Sequence, residues 1–250
     1  MSPFLNWNQK RDIQSIISEF PIRFNNYYEP FLGSGEIFFN LYNNGRIFNK
    51  GYLASSNKFL TQVYKAVRDE PERLQKMILH FCSNNSEAYF NNLSFARDCS
   101  PAVYIYADRA IGKDGKWRAS QFIDKNREIS KDVSDIDRCS RYLNRWCDGI
   151  WNVDWELALT PVNHLEKRIK EGDLVWLDPP KIAYTSDGHI DYVSKGFNES
   201  NQIYLNNFCK QLKANGIHVY MIQNNVPATE RIFGKPKKIF NNGEALYWYE

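Results

Sequence analysis

The stretch Val175-Trp176-Leu177-Asp178-Pro179-Pro180-Lys181 most constrains what this chain can fold into. It is an apolar run of β-branched and aromatic character, entered through Gly172-Asp173 and stopped by two prolines, which predicts a buried strand. The residue that such a strand delivers at its carboxyl end enters the loop where an α/β sheet keeps its chemistry. Consecutive prolines fix their own φ angles and push the residue before each toward extended backbone. The carbonyls of Asp178 and Pro179 are therefore held as rigid acceptors.

The rest of the chain alternates strands and helices around this stretch. Lys10 to Phe20 spaces Ile13, Ile16, Ile17 and Phe20 at helical intervals, and Pro21 ends the pattern. A short strand at Tyr27–Phe31 runs into Leu32-Gly33-Ser34-Gly35 and then a helix from Glu36 to Tyr42. Glycines between a strand and a helix allow close backbone approach to a ligand, although the same pattern also makes an ordinary tight turn. Arg46 to Leu53 reads as a second strand. Lys58 to Arg68 reads as a helix with Leu60, Val63, Tyr64 and Val67 on one face, and further helix is expected from Pro71 through about Phe95. Val153, Trp155, Leu157 and Leu159 alternate with polar or small residues, the period of a half-buried strand, and Thr160 then caps a helix opening with Pro161. After the double proline, Ile182 to Asn198 reads as a long connection. Glu199 to Leu212 is a helix closed by Asn215-Gly216, and Ile217–Ile222 and Glu244–Tyr249 complete the strands. Repeated alternation of this kind predicts an α/β, doubly wound sheet.

At 250 residues and 43% hydrophobic content the chain can bury one sizeable core and carry a small insertion. Residues 1–95 and 150–250 are expected to form the α/β domain, and residues 96–149 an inserted lobe. In that lobe Arg109, Lys113, Lys116 and Arg118 are interleaved with Tyr104, Tyr106, Trp117 and Phe122. Cations with rings between them suit a surface that tracks phosphates and stacks or wedges bases; the plainer alternative is a solvated insertion neutralised by its own acids. A net charge of only +3 permits nucleic acid without arguing for it. The five cysteines include no Cys-x-x-Cys pair, so no zinc spacing and no metal is expected, and reduced thiols in an intracellular protein fit better. The opening residues hold no apolar run long enough for a signal peptide or a membrane span, so the expected location is cytoplasmic or nuclear, away from membranes.

Taken in order, these pieces resemble the Dam-type family of DNA adenine-N6 methyltransferases, which use S-adenosylmethionine. Pro3-Phe4-Leu5-Asn6-Trp7 with Lys10 is similar to the family's opening Pro-Phe-Leu-Lys-Trp-Ala-Gly-Gly-Lys. Glu29 to Gly35 resembles its glycine loop, Tyr64 to Pro71 the segment after its ribose-binding acid, and Asp178-Pro179-Pro180 its Asp-Pro-Pro-Tyr signature. The resemblance implies a Rossmann-like methyltransferase fold with an inserted recognition lobe, duplex DNA as partner, and a target adenine flipped out of the helix. It further implies that Asp178 and the Pro179 carbonyl accept hydrogen bonds from the adenine amino group. Pro180 and residue 181 complete the catalytic positions. Trp7, Lys10, Phe31, Gly33, Gly35, Ser55, Asp154, Trp155 and Thr160 fall at cofactor positions, with Asp154-Trp155 and Thr160 as alternatives for one Asp-Phe pair.

The sequence departs from the pattern at ligand positions. Lys181 stands where the family places a stacking aromatic, and an ammonium offers no π face. Ser55 stands where an acid is expected for the ribose hydroxyls, and a neutral hydroxyl is the weaker acceptor. Asn8-Gln9 replaces small residues before Lys10 and is one residue shorter. Only a turn survives of the family's recognition hairpin around Arg109 to Trp117. Changes gathered on the site while the apolar pattern persists favour a catalytically degenerate, DNA- or protein-binding pseudo-methyltransferase, such as the non-catalytic subunit of a complex. An active S-adenosylmethionine-dependent adenine methyltransferase is the first alternative. A structural interaction protein that binds no DNA, its 15% aromatic content serving a partner interface, is the second.

Overall fold

The computed structural model describes residues 11–76, 133–159, 169–184, 190–192 and 197–249. In chain order they form α1 (Ile13–Ser18), β1 (Tyr27–Glu29), α2 (Glu36–Asn40), a 3-10 turn at Tyr42–Asn44, β2 (Gly51–Ala54) and α3 (Lys58–Asp69). After these come α4 (Val133–Trp146), β3 (Cys147–Trp151), α5 (Trp155–Leu159), β4 (Leu174–Leu177) and a small hairpin of β5 (Ile182–Tyr184) and β6 (Ile190–Tyr192). The chain closes with α6 (Glu199–Ala214), β7 (His218–Asn224), α7 (Pro227–Phe233), β8 (Lys238–Ile239) and β9 (Glu244–Tyr249).

Seven strands make one sheet in the order β3-β2-β1-β4-β7-β9-β8. From β3 to β7 every pairing is parallel, and β9 joins β7 and β8 antiparallel. The chain winds outward from β1 through β2 to β3, then returns to lay β4 on the other side of β1. That reversal is the switch point at which a doubly wound sheet opens a crevice beyond its strand ends. The arrangement is the Rossmann-like fold that the resemblance implies. Among the described residues no helix is long and apolar enough to cross a membrane.

Both faces of the sheet are covered, so β2 and β4 are buried along their whole length, as parallel strands must be. The pleat sends alternate residues to opposite sides. Tyr27, Leu174 and Trp176 join one core with Ile16, Ile17, Phe38 and Tyr64, while Tyr28, Val175 and Leu177 join the other with Trp155, Leu205 and Met221. Phe20 at the end of α1 lies against Trp176 and Tyr220, at ring separations of 5.8 and 4.6 Å, which seats α1 on the sheet.

The structure corrects three expectations. The alternation from Val153 to Leu159 is not a strand: Trp155–Leu159 is helical, and Trp155, Ala158 and Leu159 are buried at helical spacing, with the Ala158 N–H donating to the Asp154 carbonyl at 3.0 Å. Four apolar residues are too few to separate the two periods. The span 96–149 does not stand wholly apart, because α4 packs on α3 and β3, which begins within it, pairs with β2, Gly51 opposite Cys147 and Tyr52 opposite Gly149. The expected connection after the double proline contains the hairpin of β5 and β6.

At the opposite end from the switch-point loops, Asp173 fixes how β1, β4 and β7 enter the sheet. Its buried carboxylate accepts from the Asn26 N–H at 2.9 Å, the Asn26 side-chain amide at 3.0 Å and the Lys170 N–H at 2.8 Å. Its carbonyl accepts from the His218 N–H at 2.9 Å. Asp173→Ala leaves three donors unpaired and is expected to cost about 2–4 kcal/mol, read as a lower urea midpoint with unchanged slope.

Candidate active site

Two loops meet at the switch point because β1 and β4 are parallel neighbours, Tyr27 opposite Leu174 and Tyr28 opposite Val175. The glycine loop leaves β1 and the double-proline loop leaves β4, side by side. The glycine loop is fastened to the next strand by the Leu32 N–H on the Ala54 carbonyl at 2.8 Å, and to α3 by the Tyr64 hydroxyl on the Gly33 carbonyl at 2.9 Å. Gly35 sits at φ 66°, and a Cβ there would lie 2.9 Å from the Tyr64 hydroxyl. Left-handed backbone and lack of room together require glycine at that position.

The double-proline loop is gripped from β7 and α6. Both Gln202 and Gln223 donate side-chain amides to the Pro180 carbonyl, at 2.9 and 3.2 Å. Gln223 also accepts the Ile182 N–H at 3.2 Å, and Asn224 donates to the Ile182 carbonyl at 2.8 Å. The backbone on either side of Lys181 is thus fixed, and the direction of the Lys181 side chain with it.

That side chain turns toward the sheet ends. Its ammonium lies 2.7 Å from Asp178 Oδ1, donates to the Ile222 carbonyl at 2.7 Å and stands 3.9 Å from Glu244. On the other carboxylate oxygen, Arg11 Nη1 lies 2.7 Å from Asp178 Oδ2, while its Nε and Nη2 fork onto Glu244 at 2.9 and 2.5 Å. Asp178, Lys181, Arg11 and Glu244 form one ion-pair cluster whose formal charges cancel. The Arg11 side chain is only 8% exposed and that of Asp178 20%, so water screens the cluster weakly. Burial raises the Asp178 pKa, but the Arg11 and Lys181 charges outweigh it and hold the carboxyl well below the usual range. Burial, and secondarily Arg11, pulls Lys181 down against the opposite pull of Asp178.

Two further acids line this end of the sheet. Glu29, the last residue of β1, is buried, accepts the Tyr27 hydroxyl at 2.9 Å, and is pushed up to about 8 by burial. Glu36, at the start of α2, is pushed up to about 7, again by burial, and its Oε2 is buried without a hydrogen-bond partner among the described residues.

At the end of β2, Ser55 is buried, and its hydroxyl accepts the Asn57 N–H at 3.2 Å. Trp155 stacks on Phe31, with ring centroids 5.8 Å apart and planes 23° apart, and Phe197 meets Phe31 edge-on. The structure therefore gathers Phe31, Gly33, Gly35, Ser55 and Trp155 at the same end of the sheet as Asp178, Pro179, Pro180 and Lys181, while Asp154 is solvent-exposed. Trp7, Lys10, Thr160, Arg109, Lys113, Lys116 and Arg118 lie outside the described residues. Sequence reasoning missed Arg11, Glu244 and the two glutamines. Arg11 adjoins Lys10 of the opening motif, but its partner lies 233 residues away and only the sheet order brings the two together.

Residues 7–147 match the family model described as D12 class N6 adenine-specific DNA methyltransferase. That span holds the glycine loop and Ser55, and Asp178 lies beyond it. A type II methyltransferase of Lactococcus lactis subsp. cremoris, M1.LlaDCHI, is 26% identical over 252 residues, covering 93% of this chain and 84% of that protein.

The raised carboxyls make stability depend on pH. Folded Glu29 and Glu36 keep protons that the unfolded chain releases above about pH 4.5, the ordinary glutamate value. The folded state therefore binds more protons, and these two groups destabilise it increasingly as pH rises from about 4.5 toward 7–8. Each contributes a slope on the order of 1 kcal/mol per pH unit within its window. The urea midpoint of the wild type is expected to fall from pH 5 to pH 8 more steeply than that of Glu29→Gln, an equal slope in both proteins being the contrary result.

Proposed function

Because the chain belongs to the D12 class family of N6 adenine-specific DNA methyltransferases, we propose that it keeps the family's scaffold with its acceptor carboxylate closed, binding duplex DNA without transferring methyl groups. The observation that carries this reading is the occupation of both Asp178 oxygens, Oδ1 by Lys181 and Oδ2 by Arg11. A carboxylate that orients an amino group for attack must offer it an unspent negative charge. As the nitrogen is methylated it gains positive charge, and that charge is stabilised by an anion placed in advance. Here the anion is already neutralised by two cations, and residue 181 has no ring on which a base can stack.

Bound S-adenosylmethionine supplies an electrophilic methyl group on a sulfonium. One feature of the chain fits it: Glu36 Oε2, buried and without a hydrogen-bond partner among the described residues, suits an ammonium group. Phe31, Gly33, Gly35, Glu36 and Trp155 would hold it, with Ser55 and Asn57 toward the ribose. That fit favours, as a second reading, an active adenine methyltransferase. DNA binding rests on the family and on Arg109, Lys113, Lys116 and Arg118, which the sequence places together in the lobe. The chain then serves as the silent half of a complex with a transferring partner.

Incubated with radiolabelled S-adenosylmethionine and adenine-containing duplex, the protein is expected to transfer label only at background. The same duplex is expected to bind it, with an affinity that falls steeply as salt rises. Label on the adenine amino nitrogen would establish the second reading instead, and salt-insensitive or absent DNA binding beside firm capture of a protein partner would leave an interaction protein.

A further inference from the structure

Arg11 stands one residue before Asp12, whose side chain caps α1 by accepting the Ser15 N–H, so its backbone is fixed and its side chain spans to the sheet ends. There it is, with Lys181, one of two cations among four carboxyls. It contacts Asp178 and Glu244 directly and acts through space on Glu29 and Glu36. The fork onto Glu244 and the single bond to Asp178 use one guanidinium nitrogen for Asp178 and the other two for Glu244. A buried carboxylate oxygen without a hydrogen-bond partner among the described residues, Glu36 Oε2, remains on the same side. Unpaired buried acceptors are rare because each forfeits its hydration. The pair of acids Asp178 and Glu244 is built to receive a positive group, and the chain supplies its own.

We propose that Arg11 is an internal surrogate for a ligand's sulfonium group: its guanidinium occupies the acidic recess of Asp178 and Glu244, so a sulfonium ligand enters only when Arg11 withdraws. The proposal rests on the closed-site reading above and deepens it, since a site shut by competition between like charges is closed rather than lost. Two cations at contact distance in a weakly screened site repel strongly. Guanidinium does not deprotonate in a protein, so raising the pH does not release Arg11, and a competing partner for it or for Glu244 does. Lys181 reinforces the closure by holding the second oxygen of Asp178, but it does not reach both acids at contact distance as Arg11 does.

Calorimetric titration separates this role from that of a structural clamp between the N-terminal segment and β9. Wild type, Arg11→Gln and Arg11→Lys, each checked by thermal melting, are titrated with S-adenosylmethionine and with S-adenosylhomocysteine, which lacks the sulfonium charge. Arg11→Gln is expected to bind S-adenosylmethionine roughly tenfold or more tighter than wild type, with a much smaller change for S-adenosylhomocysteine, and Arg11→Lys is expected to stay closed. Should Arg11→Gln not fold, Arg11→Met keeps the aliphatic stem without the charge and takes its place. A folded, charge-free variant that binds S-adenosylmethionine no better, or that gains equally for both ligands, overturns the proposal. If wild type itself binds S-adenosylmethionine and methylates DNA, the closed-site reading fails separately. A loss of binding in Arg11→Gln would then make Arg11 a ligand-holding residue and overturn the surrogate role, and a gain would sustain it.

Discussion

The parallel pairing of β1 with β4 is the constraint on which the rest of the site depends. It makes the two strands that end in chemistry-bearing loops immediate neighbours, although Glu29 and Asp178 are far apart in the chain. Their registry is set at the far end of the sheet, where Asp173 ties the entry of β4 to Asn26 before β1 and, through its carbonyl, to His218 of β7. Side chains at the amino ends of the strands thus decide which groups face each other at the carboxyl ends. The crevice is a consequence of topology before it is a consequence of any particular residue.

Within that crevice, one substitution reorganises its surroundings. An aromatic residue after the double proline would be free to face a base. A lysine brings a charge that has to be paired, and the pairing draws it back onto Asp178 and the Ile222 carbonyl. Burying four charges costs hydration, and the cost is offset only where each finds a partner at short range. The Arg11 fork on Glu244 and the two ion pairs on Asp178 meet that condition. The glutamine grip on Pro180 matters for the same reason, since a loose loop would let Lys181 escape to water and leave Asp178 bound by Arg11 alone.

Much of the fold was legible in the sequence because its strongest signals are local. The terminal strand Glu244–Tyr249, the α6 helix with Asn215-Gly216 closing it, and the buried strand before the double proline follow from periodicity and punctuation alone. Where the window was short, periodicity misled: Val153–Leu159 satisfied a strand period while folding as the helical turn of α5. The β3 strand escaped because Cys147-Asp148-Gly149 lacks strand-forming character and is held by its neighbour β2. At the site, Asp178, Lys181 and the glycine loop were legible by motif. Arg11, Glu244, Gln202 and Gln223 were not, since each acts through a partner that only the sheet order brings near.

The two cores explain how the site can change without the fold changing. Neither includes Asp178, Lys181, Arg11 or Glu244, and both are complete without them. Apolar burial, which dominates folding, is therefore decoupled from the ion-pair cluster at the strand ends. A scaffold of this kind tolerates a reversal of charge or loss of a ring at its crevice so long as the new groups find partners among themselves. What selects the outcome at residue 181 is thus local electrostatics: a ring leaves Asp178 paired with Arg11 alone, and a lysine adds a second ion pair within the chain.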